Sequence, residues 1–486
     1  MPARLAAALV LITSAAVLVL EILVSRLVAP YVGLTLETYT AAIGVALAAI
    51  AAGASAGGRL ADAVDPRRWL GLATAAGGAL VLTARPLVFA VGDVFRGSGP
   101  VGTVVLVLLA VAPAAMVLSL VPPGVVKVRL RTLDETGSTV GRLSAVGTLG
   151  ALAGTFLTGF VLLSALPTST LLLVTGGVLV LAGVGLQVAL ARLSTAVAGV
   201  VALGALTGTW LVVADGPCEY ETRYYCAAVQ TDPERDGGRV LLLDGLRHSY
   251  VDLHDPAHLE FRYTQRIGDV VAEQPPGPLD VLHLGLGGGS VPRHLAAVRP
   301  DSRSTVLEVD PQVQQIDRER LGLADVPDLH VRIGDARTLI ADQPTDAYDV
   351  VVGDAFGSLA VPWHLTTREM VAEVERVLRP GGTYVLNVID NPPLSFARAE
   401  TATLLAAFRN VAVLAPPAIV AGEEGGNLVL VASEEPLDLE SLASRAASRG
   451  EPGAVAPARP FAGKAQVLTD DDAPVDQLLT PYTTAG

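Results

Sequence analysis

The chain has 486 residues, 51% of them hydrophobic and 17% charged, with a formal net charge of -14 at pH 7. Soluble domains average about 25% charged residues, so this balance argues against one ordinary cytosolic domain, a disordered chain or a nucleic-acid binder. The charge is also unevenly divided: through Ala214 there are 12 Lys and Arg against 7 Asp and Glu, and the remainder holds 22 against 41, a net of -19, with all seven His and both Cys. Two chemically different halves meet near Asp215, and only the first owes its composition to lipid.

Residues 1–214 read as an all-α transmembrane bundle. Crossing a hydrocarbon core of about 30 Å takes roughly 20 apolar residues. Stretches of that kind lie at about 5–25, 39–61, 69–92, 101–123, 143–165, 170–190 and 195–214, which makes seven spans. The first lacks a cleavage site and is closely followed by others, so it reads as a span rather than a removable signal. Runs of small residues at 51–58 and 147–154 let helix backbones approach closely. Basic residues set the orientation: Arg59, Arg67 and Arg68 follow span two, and Lys127, Arg129, Arg131 and Arg142 separate spans four and five. Both loops, and hence the N-terminus, are expected in the cytoplasm. Seven spans then place the second half outside, where Cys218 and Cys226 can form a disulfide; six or eight keep it inside, and the side stays open. Glu21, Arg26 and Glu37 lie near span ends and are expected to face protein, water or headgroups, as an interfacial ion pair or as a polar substrate site. The expected location is the cell membrane, multi-pass, with the bilayer as partner.

Residues 215–256 read as a small β-hairpin segment, with strands at 224–229 and 239–244 around the turn-rich 232–238. Residues 257–435 then alternate. After a helix at 257–273 come strands at 281–284, 304–309, 329–333, 348–352, 383–389, 411–414 and 427–432, with helices at 290–298, 311–320, 335–342, 366–378 and 395–407 between them. Short apolar strands alternating with amphipathic helices predict a Rossmann-like α/β domain with a parallel sheet covered on both faces. Its ligand is expected beyond the carboxyl ends of the strands, where strand order reverses. Residues 436–486 read as a largely flexible tail, less featureless from 468 to 482.

The first chemical constellation is His283-Leu284-Gly285-Leu286-Gly287-Gly288-Gly289-Ser290. Glycines directly after a buried strand permit a tight turn and let a ligand touch the backbone at the next helix N-terminus. Glu308 ends the following strand, where a carboxylate can accept both hydroxyls of a ribose. Asp335 and Ala336 end the third, where the acid can meet an adenine amino group. Together these favour an adenosyl ligand over a dinucleotide. Asp354 follows the fourth strand and overlooks the same cleft, able to orient an attacking amine and take its proton. Trp363 and His364 either line the cleft or pack a loop. His248, His254 and His258 lack a nearby Cys ligand, so no metal is expected.

From about Cys218 to Ala432 the chain resembles spermidine synthases and related polyamine aminopropyltransferases, which are similar to class I S-adenosylmethionine-dependent methyltransferases. With its membrane half it resembles bacterial proteins described as fused major-facilitator and spermidine synthase-like. Leu243-Asp244-Gly245 matches the Leu-Asp-Gly element leading into the substrate pocket. Gly285, Gly287 and Gly289 match the nucleotide loop, Glu308 the ribose acid, Asp335 with Ala336 the adenine-side pair, and Asp354 the catalytic aspartate. The resemblance implies transfer of an aminopropyl group from decarboxylated S-adenosylmethionine, as co-substrate and with no tightly bound cofactor, to putrescine or another small cationic amine. A homodimer is among the assemblies it allows.

Three positions depart from that pattern. His248 stands where the synthases carry glutamine, Gly288 where the glycine loop carries aspartate, and Gly357 where the catalytic element has its second aspartate. A diamine is dicationic at neutral pH, so losing two carboxylates loosens putrescine specificity. A different amine, methyl transfer from ordinary S-adenosylmethionine, or a non-catalytic transporter or sensor with an adenosyl site remain open.

Overall fold

The computed structural model describes residues 1–33, 36–96, 98–130, 132–190, 195–213, 218–355 and 361–480. Arg131 and Gly357 lie outside the described residues. The chain divides after Arg223 into two compact units.

The first unit is helical. Six helices are long and apolar enough to cross a membrane: Ala3–Val32, Leu36–Ala63, Leu70–Phe95, Gly99–Arg129, Thr136–Leu162 and Thr168–Leu190. The seventh expected stretch is also helical, at Thr195–Val213, but the apolar helix described within it, Gly199–Thr209, is shorter than a full crossing. Both small-residue runs are packing faces. A methyl group at Gly53 would strike the backbone of Met116, and one at Gly150 the backbone of Leu11. Helix backbones meet there because apolar side chains gain nothing from leaving lipid. Two arginines of this unit are held by protein groups. Arg85 is buried and pairs with Glu221 at 3.3 Å, whose other oxygen accepts from the Ser169 amide at 2.9 Å. Arg26 donates to the Thr222 carbonyl at 2.6 Å. A two-residue strand, β1 (Tyr220–Glu221), closes the unit. Neither cysteine is free: Cys218 and Cys226 are disulfide-bonded.

The second unit begins with more strand than the expected hairpin. β2 (Cys226–Thr231), β3 (Gly238–Leu243) and β4 (Leu246–Asp252) form an antiparallel meander. The β3–β4 turn is Asp244-Gly245, both at positive φ, the two-residue turn whose twist suits a tight hairpin.

The main sheet has β5 (Asp280–Leu284), β6 (Arg303–Glu308), β7 (Leu329–Ile333), β8 (Tyr348–Gly353), β9 (Leu378–Asp390), β10 (Asn410–Leu414), β11 (Gly426–Ser433) and β12 (Val455–Pro457). Their order is β12-β10-β11-β9-β8-β5-β6-β7. β5 to β9 are parallel, as expected. The last three pair antiparallel: β11 runs against both β9 and β10, which therefore point the same way, and β12 runs against β10. A parallel return needs a crossover of about a dozen residues or more, and the short connection 415–425 turns back instead. Period-two alternation feeds two cores. Leu282, Val351 and Leu430 join one face with helices Arg368–Val377 and Ser395–Ala407. Val281, Val350 and Val429 join the other with Arg262–Glu273 and Ser290–Val298. Strand order reverses between β5 and β8, so the predicted crevice lies beyond Leu284 and Gly353.

The segment from 436 is not the flexible tail its composition predicts. Helix Leu439–Ser448 buries Leu442, β12 adds an edge strand, and helix Ala458–Ala462 buries Phe461. Leu468 and Val475 are also buried in the core. Single apolar residues, widely spaced among Ala, Ser, Pro and Glu, anchor the segment without raising its mean hydropathy.

Candidate active site

The site grows from the β5–β8 switch point. Gly285 has φ 94° and a side chain there would come within 2.5 Å of the Asp354 carbonyl, so the two strand ends meet only because residue 285 is glycine. The Asp354 amide donates to the Leu284 carbonyl at 2.9 Å. Gly289, at φ 69°, caps helix Ser290–Val298 and turns its amides toward the cleft. The meander is tied to this loop by Ser249 Oγ, 2.7 Å from Ser290 Oγ. His248 is thereby brought beside Gly287.

Glu308 is buried at the end of β6. Its oxygens accept from the Leu286 amide at 2.9 Å and the Asp310 amide at 2.8 Å. Burial outweighs these bonds and pushes its carboxyl up to about 7. It therefore braces the glycine loop. Asp335 caps the short helix Ala336–Ile340 through the Thr338 amide at 3.2 Å and meets His364 Nε2 at 2.9 Å. Ala336 is buried behind it. Trp363 is 48% exposed, edge-on to His364.

Asp354 stands at the junction of two spaces. With His248 and Tyr263 it lines both a small pocket under Gly285 and a cavity of about 620 Å³. Asn387 Nδ2 donates to Asp354 Oδ1 at 2.8 Å, and the Tyr263 hydroxyl donates to the same carboxylate. Burial raises the carboxyl above the usual range, against the pull of Asn387, His248 and Tyr263 toward the anion. A base held nearer neutrality is suited to taking a proton from an attacking nucleophile.

Behind Asn387 the polar chain continues. Asn427 Nδ2 donates to Asn387 Oδ1 at 3.0 Å, Arg266 donates to the Asn427 carbonyl at 3.2 Å, and Arg266 pairs with Glu451 at 2.7 Å. Arg266, Glu451 and both asparagines line the large cavity.

The structure thus gathers the predicted residues into two groups. Gly285, Gly287, His248 and Asp354 line one pocket, Glu308 holds the glycine loop through the Leu286 amide, and Asp335 pairs with His364. Asp244 does not line the cavity: it is buried, with its side chain accepting from the Cys226 amide at 2.9 Å, and it shapes the hairpin that delivers His248. Trp363 is not among the cavity residues either, which fits loop packing. Sequence reasoning missed Tyr263, Asn387, Asn427 and the Arg266–Glu451 pair. A lone amide in the apolar run Tyr384-Val385-Leu386-Asn387-Val388-Ile389 was the available signal, since a buried polar side chain in a strand needs a partner. Among the described residues no group of three or more His, Cys, Asp or Glu is placed to hold a metal ion.

Known proteins match this unit. A family model described as a methyltransferase domain matches residues 281–382. A polyamine aminopropyltransferase of Vibrio vulnificus is 34% identical over 190 residues, 38% of this chain and 60% of that protein. Spermidine synthase 1 of Pisum sativum is 29% identical over 150 residues, 30% of this chain and 43% of its own length. The crystal structure of a probable spermidine synthase from Corynebacterium glutamicum superposes with a TM-score of 0.49 at 29% identity, covering 52% of this chain and 95% of that one. The chain thus spans about 60% or less of the curated relatives' length. The unit after Arg223 has a methyltransferase-type Rossmann-like fold, and its sequence is similar to the polyamine aminopropyltransferases, spermidine synthases among them.

Proposed function

We propose that this chain is a membrane-anchored aminopropyltransferase whose donor is decarboxylated S-adenosylmethionine. The carrying observation is the position of Asp354, shared between the glycine-loop pocket and the 620 Å³ cavity. The adenosyl group is assigned to the glycine loop, with Glu308 on the ribose hydroxyls and Asp335 with Ala336 on the adenine side. The acceptor amine is assigned to the large cavity. Its nitrogen attacks the aminopropyl carbon bonded to the sulfonium. The new C–N bond forms as the C–S bond breaks, the electron pair stays on sulfur, and methylthioadenosine leaves. Asp354 accepts the proton released by the nitrogen, while Asn387 and Tyr263 hold its carboxylate in line. The six apolar helices support a multi-pass location in the cell membrane.

Methyl transfer from ordinary S-adenosylmethionine is the second reading, favoured by the family-model match across residues 281–382. Mass analysis after incubation with each donor and a panel of amines separates the two. Methylthioadenosine is expected; adenosylhomocysteine redirects the reading to methyl transfer, and donor binding without either product contradicts both.

A further inference from the structure

The cavity beside Asp354 carries charges that a diamine does not match. A dicationic acceptor needs an uncompensated carboxylate for its far ammonium. Besides Asp354, the described lining has two carboxylates. Glu451 is spent on Arg266 at 2.7 Å, both largely buried. Glu260 lies at the rim, 2.9 Å from His258 Nε2. Against them stand two rim cations without an ion pair among the described residues. Arg247 lies over the Phe261 ring at 5.4 Å, and Arg262 donates only to Gln265 Oε1 and the Arg449 carbonyl, each at 3.3 Å. Between rim and floor the wall includes Leu246, Ile389, Ile419 and Leu479, which suits a short methylene chain.

We infer that the acceptor is an amino carboxylate, an amine and a carboxylate joined by a short apolar chain, with the amine at Asp354 and the carboxylate received by Arg247 and Arg262. This rests on the aminopropyl-transfer reading for the role of Asp354. The bond changes are those already given, so the product is the N-aminopropyl derivative of the amino acid, with methylthioadenosine as the other product.

The cleanest probes are putrescine and 4-aminobutanoate, which match in length and differ in the charge of one end. Full-length protein in detergent, saturated with methylthioadenosine, is titrated with each by calorimetry. The expected result is at least tenfold tighter binding of 4-aminobutanoate. The R247E/R262E double variant, changed only at exposed rim residues, is expected to move that ratio at least tenfold toward putrescine. Wild-type protein that binds putrescine as tightly or more tightly, or a double variant with an unchanged ratio, overturns the inference. Product analysis with the decarboxylated donor reads the underlying function separately. Methylthioadenosine release with putrescine preferred leaves aminopropyl transfer standing and removes the amino carboxylate. Selective 4-aminobutanoate binding with no methylthioadenosine from any acceptor removes aminopropyl transfer instead.

Discussion

Asp354 accepts two hydrogen bonds and sits where burial disfavours its anion. As a base it works ionised, so activity is present above its raised pKa and lost as pH falls through it. Removing a donor that favours the anion raises the pKa further. Asn387→Ala is therefore expected to move the acid limb of the kcat/KM profile to higher pH by about one unit, since a hydrogen bond to a charged group contributes roughly 1.5–3 kcal/mol and one unit is about 1.4 kcal/mol. An unmoved limb in that variant would separate Asn387 from Asp354. Glu308 gives a second pH signature. With its carboxyl pushed up to about 7, the anion proposed to accept the ribose hydroxyls is present above that value. Methylthioadenosine affinity is expected to weaken as pH falls below about 7, and Glu308→Ala to abolish that pH dependence, both read by calorimetry.

At the scale of elements, periodicity made the parallel core legible. Helices Ser290–Val298, Pro311–Arg320 and Ser395–Ala407 and strand β7 fall where the apolar pattern puts them: the helices bury apolar residues against the sheet, and β7, an edge strand, keeps Leu329 and Val331 partly buried. What stayed hidden was held by sparse or long-range contacts. β12 is three residues long, too short for alternation to register, and the antiparallel turn of β10 into β11 depends on pairing rather than composition. The site divided in the same way. Gly285, Glu308 and Asp354 stand at strand ends that sequence can locate, whereas Tyr263 and Asn427 reach the cavity from elements whose placement only the sheet order reveals. The C-terminal segment gives the test. Phe461 is 4% exposed and packs in the core shared with Ser395–Ala407. Phe461→Ala is expected to destabilise the protein by about 3–5 kcal/mol, seen as a lowered midpoint in thermal unfolding. A midpoint unchanged within error would restore the flexible-tail expectation.

For the whole molecule, the early contrast between a net +5 half and a net -19 half corresponds to a bundle of apolar helices and an α/β unit with a polar cleft. Charge counting revealed the division but not the number of crossings, because Thr195–Val213 is helical with a shorter apolar described stretch. The cysteines offer a handle on the side of the membrane, since a disulfide that persists in cells belongs to an oxidising compartment. In native membranes Cys218 and Cys226 are expected to resist maleimide until a reductant is added; labelling without reductant would place them on the reducing side. The central claim, that Asp354 takes the proton of an acceptor amine during aminopropyl transfer, is tested most directly by comparing wild type with Asp354→Asn. Single-turnover release of methylthioadenosine from decarboxylated S-adenosylmethionine is expected to fall roughly 10²–10⁴-fold, with donor affinity within about threefold of wild type by the order of such effects at a group that does not hold the donor. Unchanged turnover in the variant, or no methylthioadenosine from wild-type protein that binds the donor, would contradict it.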